Sequence, residues 1–119
     1  MFAEDFDYFV AELEIGEHYS LGIEIVLKRY GSKETREALS RGFNFIIEDR
    51  TKRIENLEKF KTDVEKNEDD ESRELAERYA SKIRLCESER SQAERDMTII
   101  ESGIGVKYRG VYLPAIKDS

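Results

Sequence analysis

The chain has 119 residues, of which 39% are charged; 20 Lys plus Arg against 27 Asp plus Glu leave a formal charge of −7. That length suits a single domain, no apolar run approaches the roughly 18 residues of a membrane span, and no basic leader with an apolar stretch opens the chain. A single Cys excludes an internal disulfide framework and a single His excludes a multi-histidine metal centre, so composition points to a cytoplasmic helical protein without cofactor.

Residues 2–14 place Phe2, Phe6, Phe9 and Leu13 at spacings of four, three and four, one face of a helix that Gly16 is suited to stop. The same stretch is acidic. Residues 1–27 carry Glu4, Asp5, Asp7, Glu12, Glu14, Glu17 and Glu24, and the first basic residue is Lys28. Beyond that point acids and bases balance, so the whole net charge lies in the first quarter of the chain. Residues 20–30 fit two patterns. Leu21, Ile23, Ile25 and Leu27 alternate as in a strand, whereas Ser20 as a cap, Lys28 and Arg29 in a last turn and Gly31 as a stop describe a short helix. Helix is the better fit because the basic end suits the helix dipole.

Ser32 is a candidate N-cap, with Glu34 in the first turn, for a long helix over about 33–66. Its heptads put Ile47, Ile54 and Lys61 at one seam position and Phe43, Arg50, Leu57 and Val64 at the other, flanked by Leu39, Ile46 and Phe60. Gly42 costs such a helix about 1 kcal/mol relative to Ala and marks a place where it bends or breaks. A second helix, about 70–102, starts at Asp69 or Asp70 and ends at Gly103. Its seam carries Ala76, Ile83, Arg90, Met97 and Ile104 against Tyr79, Cys86, Ala93 and Ile100. The short polar loop between them predicts an antiparallel hairpin. Pairing residues symmetrically about that loop sets Leu57 opposite Tyr79, Arg50 opposite Cys86 and near Glu87, Phe43 opposite Ala93, and Arg90 near Glu48.

Residues 105–119 change character. Val106, Tyr108, Gly110 and Tyr112 alternate with Lys107, Arg109, Val111 and Leu113 before Pro114, the pattern of an extended arm or edge strand. The expected architecture is all-α and single-domain: an acidic helical segment (1–31) of one or two short helices packed at one end, a long hairpin (32–104), and an extended tail (105–119).

Most chemistry lacks its residues. His18 alone cannot supply the paired Glu-x-x-His motifs of a bundle di-metal site, and Cys86, at a seam position, serves as a small apolar residue rather than a nucleophile. No Gly-rich phosphate loop precedes a helix. The acidic head lacks the Lys and Arg of a membrane-surface helix, and a neutral body does not suit direct nucleic-acid binding. What the residues favour is a non-catalytic, protein-binding helical module, an adaptor or regulatory subunit without metal or cofactor. The alternative is an acidic inhibitor that mimics nucleic acid toward a basic nucleic-acid-binding protein, supported by the acidic head and by Glu68, Asp69, Asp70 and Glu71. The predicted contact residues are Glu4, Asp5, Asp7, Glu12 and Glu14 in the head and Tyr108, Arg109 and Tyr112 in the arm. The partner is another protein or a second copy of the chain, since one two-helix seam holds together poorly in water.

Overall fold

The computed structural model describes residues 19–116, and the predicted head (2–14), with Gly16 and His18, lies outside the described residues. Helix α1 (Tyr19–Tyr30) resolves the ambiguity of its segment. Ile23 and Val26 are buried, while Ile25, which strand alternation would group with Ile23, is 51% exposed. The period is that of a helix, and Ser20 lies inside it rather than capping it. Gly31 ends α1 in the left-handed region (φ 90°), with its N–H donating to the Leu27 carbonyl at 2.9 Å, a helix stop for which glycine has no Cβ penalty.

Helices α2 (Ser32–Glu65) and α3 (Asp70–Glu101) form the antiparallel hairpin, with boundaries within a residue of those predicted. Gly42 is buried and α2 runs through it unbroken. Asp69 is the cap of α3: its Oδ1 accepts the Ser72 N–H at 2.7 Å, and its carbonyl accepts from Arg73 N at 3.2 Å. Gly103 (φ 77°) terminates α3 as expected. The chain separates into two compact units, residues 45–94 and residues 1–44 with 95–119, and both long helices contribute to each.

In the 45–94 unit the predicted seam is the buried surface. Ile54, Ile83 and Cys86 form its apolar cluster, with Leu57 packed against them, and Ala76 and Ala93 are buried as well. The predicted pairing is off by about one turn. Phe60, not Leu57, meets the Tyr79 ring, at 6.0 Å between centroids, and Arg50 reaches Glu89 rather than Glu87. Symmetric pairing about the loop assumes helices that end level. The register is instead set where large side chains meet, and this one lets the Ile54–Ile83–Cys86 layer close with Leu57.

In the other unit α1 lies against the second of two C-terminal strands. The predicted arm is a hairpin rather than one extended strand: β1 (Val106–Tyr108) and β2 (Val111–Leu113) pair antiparallel, with Val106 opposite Leu113 and Tyr108 opposite Val111. Arg109 (φ 51°) and Gly110 (φ 83°) make the turn, both central residues having the positive φ of a primed two-residue connection. Those two turn residues invert the alternation. Val111 and Leu113 face inward with Tyr108, and Tyr112 faces outward opposite Lys107.

Candidate functional site

Two-helix packing leaves two flanks of the seam open. In residues 45–94 one flank carries, by heptad position, Ile46, Arg53 and Phe60 from α2 and Leu75, Lys82 and Glu89 from α3. The other carries Thr51, Glu58 and Glu65 with Ala80, Glu87 and Glu94. Of the two flanks, the first carries the apolar bulk; exposed Phe45 lies on neither. There Arg53, Asn56 and Leu57 of α2 and Lys82, Leu85, Cys86 and Glu89 of α3 line an open groove of about 350 Å³. Leu57 and Cys86 are its floor, backed by the Ile54–Ile83 cluster. Leu85 is 62% exposed, with Phe60 and Leu75 also uncovered toward the tip.

The rim charges are held in place by a buried neighbour. Arg50, 8% exposed, forms an ion pair with Asp49 and a longer one with Glu89, at 3.4 Å. Asp49 also accepts from Arg53 Nε at 2.9 Å, so the carboxylates organised by Arg50 fix both Arg53 and Glu89 along the groove. Burial by itself lowers the Arg50 pKa, but the hydrogen bond that Arg50 donates to Asp49 and the charges of Glu89 and Asp49 outweigh it, and the net shift is upward. The second seam arginine, expected near Glu48, donates to the hydroxyl of Thr51 instead: Arg90 Nη1 to Oγ1 is 3.3 Å. The Thr51 hydroxyl in turn donates to the Ile47 carbonyl at 2.7 Å.

No protein-family model matches this chain, and neither does any curated protein or solved structure among those compared with it.

The predicted contact residues fare unequally. Glu4, Asp5, Asp7, Glu12 and Glu14 lie outside the described residues. Tyr108 is half-buried rather than fully exposed. It stacks edge-on against Phe43 at 5.9 Å and its hydroxyl donates to Asp96 at 3.3 Å, because the turn at Arg109-Gly110 directs it inward. Arg109 is exposed in that turn, and Tyr112 is 61% exposed on the outer face. Of the acidic cluster, Asp69 serves as a helix cap, and the amide hydrogen bond from Ser72 holds its carboxyl below the usual range. Among the described residues no three His, Cys, Asp or Glu side chains gather as a metal site requires, and no helix is long and apolar enough to cross a membrane.

Arg36 was not singled out by the sequence, although its side chain makes five hydrogen bonds. Only 2% exposed, it donates to the carbonyls of Ile100 (2.7 Å), Ile104 (2.5 Å), Leu113 (3.2 Å) and Pro114 (3.0 Å). Its Nε donates to Ser32 Oγ at 3.1 Å. Ser32, the predicted cap, instead donates its hydroxyl to Pro114 O at 2.6 Å. The start of α2 is begun by the Gly31 carbonyl, which accepts from both the Thr35 amide and its hydroxyl. Every Arg36 acceptor is a neutral oxygen, and Ile100 contributes one of the last carbonyls of α3, where the helix dipole is negative. Burial lowers the pKa of Arg36, with Tyr112 partly opposing it. A signal existed: position 36 is one heptad before Phe43, so extending the seam by seven residues lands on it. Its role is architectural, fastening the C-terminal hairpin to the start of α2.

Proposed function

We propose that the protein is a non-catalytic helical interaction module that works by surface contact. The observation that supports this most is the one-sided groove of the 45–94 hairpin: an apolar floor of Leu57 and Cys86, an exposed Leu85, and a rim of Arg53, Lys82 and Glu89. Apolar side chains grouped on one flank with charges around them are what a protein-binding face requires, the apolar centre supplying affinity and the charged rim orientation. A helix lying in this groove would place anchors at i, i+3, i+4 and i+7 spacing against the floor. The opposite flank, with Glu58, Glu87 and Glu94, has the composition of a solvated face.

A photo-crosslinking residue placed at position 85 in the living cell tests this against the same residue at position 87. Protein adducts at 85 and none at 87 are expected. Absence of any protein adduct at 85 would refute the interaction module.

A further inference from the structure

We infer that the occupant of this groove is a second copy of the chain, placed by a two-fold axis level with Leu85 and Cys86 of α3, an inference that rests on the interaction-module reading and names its partner. A two-fold contact sets one patch against itself, so its charges must be self-complementary. Along the groove edge of α3, Lys82 and Glu89 are seven residues apart and therefore share a face, and Leu85 and Cys86 lie midway between them. When two α3 helices cross antiparallel about that midpoint, Lys82 of each copy faces Glu89 of the other, twice, with the two exposed Leu85 side chains meeting near the axis. Parallel alignment of the same helices would set Lys82 on Lys82 and Glu89 on Glu89, so the pattern selects one orientation. The carboxylate that receives the incoming Lys82 is already fixed, because Glu89 is held by the buried Arg50.

A second copy also answers the deficiency of a lone hairpin. Two helices bury a single seam, whereas four bury a centre, and the uncovered Leu85, Phe60 and Leu75 all lie on the flank that would turn inward. The rim disfavours a basic partner, since Arg53 and Lys82 stand on it. Centred on Leu85 and Cys86, the edge from Tyr79 to Gln92 runs about 20 Å, at about 1.5 Å per residue, long enough for a four-helix contact.

Sedimentation equilibrium of the full chain decides it. The expected mass is twice the 13.9 kDa of one chain. Leu85→Glu should give single-chain mass with unchanged far-ultraviolet circular dichroism, since Leu85 is exposed in one hairpin; if it loses helicity, Leu85→Gln replaces it in the comparison. Lys82→Glu should weaken the dimer on the order of tenfold, through two attractions turned into two repulsions, with the loss shrinking as salt rises. Glu87→Lys, on the opposite flank, should leave it unchanged. A wild-type chain that stays at single-chain mass up to about 0.1 mM, well above ordinary dimer affinities, overturns the inference, and so does a dimer indifferent to the Leu85 substitution. If such a monomeric chain still gives photo-adducts with other proteins at position 85, the dimer falls and the interaction module stands; if no adduct forms, both fall.

Discussion

Replacing Arg36 with Met tests whether one buried cation holds the C-terminal hairpin in place. Methionine nearly matches the length of the arginine stem, so the change removes the guanidinium and its five hydrogen bonds while leaving most of the packing. Hydrogen bonds to a charged group are worth about 1.5–3 kcal/mol each, net of the water contacts they replace. Taking the lower figure for all five suggests about 8 kcal/mol. Two offsets reduce it. Nη2 makes three of the five contacts with only two hydrogens, so at least one of them is a shared, weaker bond. Some acceptors also keep another partner: Pro114 O retains the Ser32 hydroxyl, and Ile100 O retains the Gly103 amide. A net loss of about 3 kcal/mol follows, equivalent to a fall in melting temperature of about 10 °C for a domain near this size. The loss should also be local. Amide exchange of Val106–Leu113 should accelerate strongly in Arg36→Met, while protection of residues 54–86 stays near wild type. Arg36→Lys should fall between, because an ammonium keeps the charge but offers three donors rather than five. Unchanged urea unfolding together with unchanged exchange at β1 and β2 would refute the clasp.

Two further outcomes follow from the same geometry. Leu57→Asp, which sets a carboxylate against the Ile54–Ile83–Cys86 cluster, should cost about 3 kcal/mol in urea unfolding; an unchanged midpoint would mean that the seam is misassigned. Asp69 has a folded-state pKa depressed below its ordinary 3.8 by the Ser72 amide, so its capping stabilises the protein above that ordinary value and is lost as pH falls through the lowered one. Asp69→Asn, which still caps but does not titrate, should therefore flatten the acid limb of the stability profile, and identical acid limbs would exclude Asp69 as a contributor.

What the sequence by itself determined is whatever depends on neighbours in the chain. The lengths of α2 and α3, the stops at Gly31 and Gly103, the cap at Asp69 and the seam of Ile54, Leu57, Ile83 and Cys86 all follow from a 3.6-residue period, dihedral preference or a side chain reaching three residues along. The helical state of residues 20–30 was nearly balanced in the sequence and was decided by the fold, in which α1 packs against β2 and Ile23 and Val26 are buried. Tertiary structure alone decided the register, because side chains such as Phe60 and Tyr79, nineteen positions apart, select it by contact, and loop symmetry is no substitute for shape. It also decided the C-terminal hairpin. Arg-Gly is not the usual Asn-Gly signature of a primed turn, and without that turn the alternation of residues 106–113 points Tyr108 to the wrong side. Arg36 shows the same division most clearly: its heptad position is local information, but four carbonyls from the end of α3 and from residues 104–114 make a cationic seam residue stable, and only the fold brings them to it. The open flank of the 45–94 hairpin belongs to both levels, since its residues are set by heptad position and its exposure by the fold, in which no third helix among the described residues covers it.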